Sequence, residues 1–292
     1  MEGLLRKALC ALLTGFALWT MPVEAQRPGQ PDPGRLLPDL TESEARAALT
    51  EFRQQRLQGD YAFRFELDHR PRRGQTQRFS GGMWGTWDDF DPLIRVHLIG
   101  VGEAPQPDRF LLRSGEQASF WTTRADSTHD AVEVTGSALH RPLVPGLTYT
   151  PFDLVMPFTH WSEATYLGRD RIANRLAYVF YLRPGPGQAD TRAEGVDGVR
   201  LSIFADHNVL LRAETVDASG NALKSFKVRS FQQVNGQYIV KRIDLVDERA
   251  RDKTRFEVSA AALGIRLPDT VFEPGSLKLR LNVPGPEAFE RL

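Results

Sequence analysis

The feature that most constrains the fold is a two-residue alternation of apolar and polar side chains in the last third of the chain. The pattern runs from residue 199 to 258 and is broken by short turns, of which Asn235-Gly236 is the clearest. A period of two places successive side chains on opposite faces of a β-strand, and Asn-Gly is a strong hairpin signal. The sequence therefore predicts five strands joined in an antiparallel meander.

The same alternation occurs upstream of the meander. In residues 61–67 the odd-numbered positions are aromatic or aliphatic, and the even-numbered positions are mostly polar. In residues 94–98 the apolar positions alternate with Arg95 and His97, which are expected to face solvent. Strands do not alternate with long helices, which argues against a parallel α/β fold. The expected fold class is mainly β.

One helix-start signal precedes the first strand. Thr41 and Glu44 have the spacing of a capping box, and an apolar stripe of helical period follows them. These features predict a helix over residues 42–57 that stops near Gly59 and packs against an apolar surface.

A second helix-start signal lies within residues 150–161. Thr150-Pro151 with Asp153 resembles a short helix start, and Pro157 prevents a long helix. The segment is very apolar for its length. We therefore expect it to form a short helix or loop that closes over a core.

Residues 177–182 are apolar at both alternating sets of positions. One interpretation is a strand that is covered by core on both faces. The other is a strand with one face on a core and the other lining a ligand cavity. The sequence alone leaves both open.

The N-terminus has the pattern of a secretory signal peptide. Arg6 and Lys7 precede an apolar run, and small residues precede a cleavage site after Ala25. The alternative is an uncleaved anchor helix, for which the run is short. We expect residues 1–25 to be a signal peptide, 26–39 to be a Pro/Gly-rich spacer and 40–292 to be a single domain that lies outside the cytoplasm.

A search for catalytic patterns finds none with specific spacing. The six histidines form no metal-binding pair, and the only cysteine lies in the predicted signal peptide. Asp88, Asp89 and Asp91 are best interpreted as an acidic turn rather than a cation site. Lysine plus arginine balance aspartate plus glutamate at 37 each, which gives no basis for a nucleic-acid partner. We expect no enzyme activity, cofactor or metal, although paired carboxylates that meet only in space leave no sequence signal.

The segment from about Tyr149 to Leu277 resembles the outer-membrane lipoprotein-sorting family, the LolA/LolB-like proteins. The resemblance depends on the order of short motifs rather than on any one of them. In chain order they are PFDL at 151–154, Trp161, YLG at 166–168, RLAYVFYLRP at 175–184, RAE at 212–214, DASG at 217–220, VNG at 234–236 and PDTVFEP at 268–274.

The resemblance implies a strongly curved antiparallel sheet, an incomplete β-barrel, with short helices as a lid over an apolar cavity. It further implies a periplasmic carrier or sensor that binds lipid or lipoprotein acyl chains, with envelope membrane proteins as further candidate partners. We expect the protein to be a monomer. The alternatives are a β-rich accessory or scaffold module of an envelope complex and, less favoured, a secreted hydrolase. Eight aromatic or sulphur-containing side chains are expected to line the cavity: Phe63, Phe65, Phe152, Met156, Phe158, Trp161, Tyr178 and Phe180.

Overall fold

The fold is one antiparallel sheet of 14 strands that does not close on itself. The computed structural model describes residues 39–89, 91–100, 108–124, 130–188, 192–279 and 281–292. The predicted signal peptide and nearly all of the predicted spacer lie outside these residues. No helix in the described ranges is long and apolar enough to cross a membrane.

The first six strands follow helix α1 (Glu42–Arg53) and form consecutive hairpins. They are β1 (Asp60–Arg70), β2 (Gln77–Asp88), β3 (Asp91–Gly100), β4 (Asp108–Arg113), β5 (Ser119–Arg124) and β6 (Val132–Glu133). A 3₁₀ helix (Gly136–His140), helix α2 (Pro151–Val155) and another 3₁₀ helix (Pro157–His160) then lead to the second half of the sheet.

The second half contains the predicted meander, which is confirmed. The strands of the second half are β7 (Glu163–Ile172), β8 (Arg175–Arg183), β9 (Gly198–Phe204), β10 (Leu210–Val216), β11 (Ala222–Val234), β12 (Gln237–Asp247), β13 (Asp252–Ile265) and the short β14 (Glu290–Arg291). The predicted five-strand meander corresponds to β9–β13. Three short 3₁₀ helices, Asp269–Phe272, Pro274–Ser276 and Pro286–Ala288, lie between β13 and β14.

The two halves of the sheet meet where β1 pairs with β13. The strand order is β6-β5-β4-β3-β2-β1-β13-β12-β11-β10-β9-β8-β7, and the short β14 pairs with β13 outside this path. This pairing, which we call the seam, extends from Asp60 opposite Ile265 to Arg70 opposite Lys253. The sheet therefore begins and ends on strands from the middle of the chain, and its centre joins residues about 200 positions apart.

The inner face of the sheet carries most of the apolar core. One cluster packs β1 and β3–β5 against residues 139–155, and includes Phe65, Phe110 and Phe120. A second packs β8–β10 against α1 and residues 152–161. A third lies at the end of β1 and includes Tyr61 and Phe63.

Helix α1 begins where the capping box predicts but ends earlier than expected. Thr41 Oγ1 accepts the backbone N–H of Glu44, whose carboxylate accepts the Thr41 N–H. The helix ends at Arg53 instead of residue 57, and the chain then places Leu57 in the third core cluster. Burial of Leu57 away from the helical stripe explains the earlier end.

The prediction that Arg95 and His97 face solvent is wrong. Residues 267–279, which we call the C-terminal strap, cover the outer face of β3–β5 through Leu111, Val271 and Leu277. Arg95 is fully buried under the strap. Its guanidinium donates to the carbonyl oxygens of four strap residues and to the Ser276 hydroxyl, while its Nε donates to His97 Nε2 at 3.0 Å.

Candidate functional site

Residues 150–161, the lid segment, cover the inner face of β8–β10. Thr150 and Asp153 form the predicted capping box, and Pro151 occupies the first turn of α2. The helix ends at Val155, and the next residue, Met156, has a φ of 49°, in the left-handed region that residues other than glycine rarely adopt. Pro157 then begins a 3₁₀ helix in a new direction. The prediction of a short, proline-limited helix that closes over a core is confirmed.

Two cations attach the lid segment to the rest of the molecule. Arg53 of α1 donates from Nε to the Thr159 carbonyl at 2.6 Å and from Nη2 to the Trp161 carbonyl at 3.1 Å. At the other end, Lys224 Nζ of β11 donates to Asp153 Oδ2 at 2.6 Å and to the Thr148 carbonyl at 3.0 Å. Such charge-assisted hydrogen bonds are stronger than neutral ones. The lid segment is thus held at both ends by side chains from other elements.

Aromatic side chains fill the space beneath the lid segment. The Phe152 and Phe158 rings lie 5.6 Å apart, and the Phe158 and Trp161 rings are 6.3 Å apart and edge-on. Tyr166 bridges towards β8, with its ring 5.4 Å from that of Phe180. We call this group the lid cluster. Its buried members are Ala45, Leu49, Phe152, Phe158, Trp161, Phe180, Leu182, Val199, Leu201, Ile203 and Ala213, with Met156 and Tyr178 partly buried at its border.

The structure brings together six of the eight side chains predicted to line a cavity. Phe152, Met156, Phe158, Trp161, Tyr178 and Phe180 all belong to the lid cluster or its border.

The other two predicted residues lie elsewhere on the inner face. Phe65 is in the neighbouring cluster, with its ring 5.1 Å from that of Phe256, and Phe63 is in the third cluster beside Tyr61. Two residues along a strand advance the chain by about 6.5 Å, so Phe63 and Phe65 share a face of β1 but contact different neighbours. Both faces of β8 are buried: Phe180 faces the lid cluster, and Ala177 and Val179 are buried on the opposite face.

Two cavities adjoin the lid segment. The inner one, of about 20 Å³, lies between Phe152, Met156, Phe158 and the inner face of the sheet. That volume accommodates about one water molecule. The space beneath the lid segment is thus filled by the protein's own side chains in this conformation.

The second cavity, of about 550 Å³, lies at the end of the sheet, and we call it the outer cavity. It shares Phe152, Asp153, Thr215 and Lys224 with the inner one. Its volume is in the range of small-molecule sites. Further lining residues are His69, His140, Pro142, Gly146, Leu147, Thr148, Thr150, Ala193, Val196, Leu223, Asp247, Arg249 and Asp252.

The polar groups of the outer cavity include a histidine tied to two threonines. His69 Nδ1 is 2.9 Å from Thr254 Oγ1 and 3.1 Å from Thr148 Oγ1. Burial lowers the pKa of His69, which favours the neutral ring. Within the described residues, no group of three or more histidine, cysteine, aspartate or glutamate side chains is arranged to hold a metal ion. The His69 ring and the hydroxyls of Thr148 and Thr254 give the outer cavity polar groups that can bind a polar part of a ligand.

Sequence reasoning missed the outer cavity. Asp247, Arg249 and Asp252 belong to the β12–β13 turn, where charged residues are ordinary. Lys224 lies in an alternating strand, and His69 at a strand end. The pairing of β1 with β13 and of β11, β12 and β13 with one another brings His69, Lys224 and the β12–β13 turn beside the lid segment. No local sequence motif predicts that these residues lie close together.

Comparison with protein families and with curated proteins gives one partial match. A protein-family model described only as "Uncharacterized protein" matches residues 144–279, which include the lid segment and most of the outer cavity. No curated protein gives a significant match.

Three solved structures share the fold at low sequence identity. A DUF1329 family protein from Desulfovibrio piger has a TM-score of 0.68 at 14% identity and aligns over 80% of this chain and 98% of its own. A domain assigned to outer membrane lipoprotein sorting from Vibrio parahaemolyticus has a TM-score of 0.62 at 13% identity, over 81% and 96%. A LolA superfamily protein from Nitrosomonas europaea has a TM-score of 0.56 at 16% identity, over 78% and 97%. The resemblance found in the sequence is therefore confirmed at the level of fold: this chain is a mainly β protein whose open antiparallel sheet is similar to those of the lipoprotein-sorting domain and the LolA superfamily protein.

Proposed function

We propose that this protein is a non-enzymatic periplasmic carrier or sensor that binds acyl chains of lipids or lipoproteins between the lid segment and the inner face of the sheet. The observation that carries the proposal is the lid cluster, a group of aromatic and aliphatic side chains under a segment attached by a few polar contacts. An acyl chain outside a membrane gains about 0.8 kcal/mol for each buried CH₂ group. The Vibrio parahaemolyticus domain of similar fold, assigned to lipoprotein sorting, supports the proposal.

The lid segment must move for an acyl chain to enter. The inner cavity has room for only about one water molecule, so an acyl chain can bind only by displacing side chains such as Met156 and Phe158. Met156 suits this role because its unbranched thioether repacks easily, and its left-handed conformation places a bend between two short helices. We propose that the lid segment pivots there while the sheet stays fixed.

Binding of a fluorescent fatty acid tests the proposal with a matched pair of variants. Phe180 in the lid cluster and Phe120 in the neighbouring cluster are both almost fully buried. Phe180→Leu and Phe120→Leu keep a core side chain and change its shape. We expect Phe180→Leu to weaken fatty-acid binding several-fold more than Phe120→Leu, at a comparable change in thermal stability.

A second function, a non-catalytic accessory module of an envelope complex, is favoured by one observation. The lid cluster is already packed to a residual volume of about 20 Å³. A parent protein that binds no fatty acid, with equal effects of the two variants on stability alone, would contradict the carrier proposal and support this second function.

Export and domain organisation are part of the same proposal. We propose that residues 1–25 are removed as a signal peptide, that 26–39 form a spacer and that 40–292 form one domain. N-terminal sequencing of the protein from its native envelope is expected to begin at or near Gln26. An intact Met1 would contradict export by cleavage.

A further inference from the structure

We infer that the outer cavity binds the polar headgroup of a zwitterionic phospholipid, a phosphate joined to an ammonium. The inference rests on the proposed function, because it assigns the head of an amphipathic ligand whose chains would lie beneath the lid segment. The outer cavity borders the lid cluster through Phe152 and contains charged side chains of both signs. A head in the outer cavity would thus be next to the place proposed for its tail.

Two cations of the outer cavity are suited to a phosphate. The Lys224 ammonium has three N–H groups and uses two of them, on Asp153 and the Thr148 carbonyl. The Arg249 guanidinium makes no hydrogen bond or ion pair within the part of the chain that the structure describes. A guanidinium presents its donors in a planar fork that matches phosphate oxygens.

Two carboxylates of the same cavity are suited to an ammonium. Asp247 Oδ1 accepts the backbone N–H groups of Arg249 and Ala250 at 2.9 and 2.8 Å, and Asp252 Oδ1 accepts that of Arg72 at 2.7 Å. The Oδ2 atom of each has no hydrogen-bond partner among the described residues. Each carboxylate is therefore fixed in position by one oxygen and retains the other for a cationic donor.

The balance of charge selects the class of headgroup. Lys224 and Arg249 contribute two positive charges, and Asp153, Asp247 and Asp252 contribute three negative ones. A purely anionic headgroup would meet repulsion from the carboxylates, and a purely cationic one would leave the cations unused. A headgroup with a phosphate and an ammonium can pair with both the cations and the carboxylates of the outer cavity.

The outer cavity, unlike the inner one, is already open. Its 550 Å³ can hold a headgroup without movement of the lid segment, so a water-soluble headgroup without acyl chains should bind by itself. This property separates the inference from the proposed function in an experiment.

Nuclear magnetic resonance titration with three soluble probes tests the inference. Glycerophosphoethanolamine carries both charges, glycerol phosphate lacks the ammonium, and ethanolamine lacks the phosphate. We expect glycerophosphoethanolamine to bind at least fivefold more tightly than either of the others and to shift the amide signals of Thr148, Lys224 and Asp252. Equal affinity for glycerol phosphate would indicate a simple anion site and overturn the inference, as would no binding of glycerophosphoethanolamine.

Variants on the β12–β13 turn supply the matched comparison. Arg249→Gln and Asp252→Asn are each expected to weaken glycerophosphoethanolamine binding at least fivefold. Arg251→Gln removes a charge from the same turn at an exposed position that does not line the outer cavity, and should leave binding unchanged. Equal effects of all three would overturn the inference, because they would indicate non-specific attraction.

A headgroup-free probe separates failure of the inference from failure of the proposed function. The apolar dye N-phenylnaphthylamine reports on the lid cluster alone. Headgroup binding without dye or fatty-acid binding would contradict the carrier proposal and leave the outer cavity assigned. Dye and fatty-acid binding without headgroup binding would support the carrier proposal and contradict the assignment of the outer cavity.

Discussion

Arg95 shows how one buried side chain can fix a long segment of chain. Five oxygen atoms of the strap accept hydrogen bonds from its guanidinium, and no carboxylate pairs with it in the described residues. Hydrogen bonds to charged groups contribute about 1.5–3 kcal/mol each, and a buried acceptor left unpaired is costly. We expect Arg95→Met to lower the free energy of unfolding by at least about 3 kcal/mol in urea denaturation.

The control for Arg95 is an arginine with no such role. Arg73 lies at the exposed tip of the β1–β2 hairpin, and Arg73→Met should change stability by less than about 0.5 kcal/mol. A similar small effect of Arg95→Met would show that the strap is held by its apolar contacts alone.

His97 beside Arg95 makes stability depend on pH. Burial, with the positive charges of Arg95 and Arg109, lowers the pKa of His97 to about 3. In the unfolded chain the pKa of His97 is about 6.5. Between pH 6.5 and pH 3 the imidazole is therefore protonated in the unfolded chain and neutral in the folded one. Because proton binding favours the unfolded state, the free energy of unfolding falls as the pH decreases over this range. His97→Gln keeps an acceptor for Arg95 and does not titrate. Urea denaturation at pH 7 and pH 4.5 should show a smaller pH effect in this variant, and an unchanged pH effect would contradict the assigned role.

For single residues, the sequence predicts contacts correctly where both partners are close together in the chain. Both capping boxes, at Thr41 and Thr150, form because their partners lie three residues away. Arg95 was misplaced because its partners lie 176 to 184 residues further along the chain. The alternation of apolar and polar residues indicates which face of a strand a side chain is on. It does not indicate whether another segment covers that face.

Among the elements, the lid segment is expected to be the least stable part of the core. It has only short helices and depends on the contacts of Arg53 and Lys224 at its ends. We expect Arg53→Met to speed amide hydrogen exchange at Thr159 and Trp161 by tenfold or more, while the β9–β12 amides keep their rates. Arg46→Met on the same helix, where Arg46 pairs with exposed Glu42, is the control. A uniform acceleration across the protein would instead indicate global destabilisation.

Two leucines of the C-terminal strap differ sharply in burial. Leu277 is fully buried against the outer face of the sheet, and Leu279, two residues later, is 58% exposed. Leu277→Asp places an unpaired carboxylate in an apolar cluster and should cost more than about 3 kcal/mol, measured by thermal and urea unfolding. Leu279→Asp should be nearly neutral, and equal effects would contradict the packing of the strap.

The elements were more predictable than the candidate site. The meander, the β1 strand and the lid segment were all predicted from period and caps. Six predicted side chains meet in the lid cluster because four of them lie within ten residues of one another and the others on one strand. The outer cavity depends on turns that come together only through strand pairing, which the sequence does not specify locally. The ligand roles of the eight predicted residues stay predictions.

For the whole molecule, the strands β6 and β7 at the two ends of the described sheet are edges that must be protected from pairing with other chains. The β6 edge has only two residues. The longer β7 edge is interrupted by an irregularity between Tyr166 and Gly168, where Leu167 is 54% exposed and Gly168 has a φ of 103°. Bulges and short strands discourage edge-to-edge association, which is consistent with the expected monomer.

The seam between β1 and β13 also dictates the order in which this protein can be assembled. A hairpin closes within microseconds, whereas contacts between residues 200 positions apart must first overcome the entropy of closing that loop. The β1–β6 hairpins and the β7–β13 meander can each form early, but β1 and β13 each keep one side unpaired until they pair with each other. In pulse-labelling hydrogen exchange during refolding, we expect the amides that join β1 to β13 to become protected last. During synthesis, β1 would accordingly keep one side unpaired until β13, which ends at Ile265, has been made.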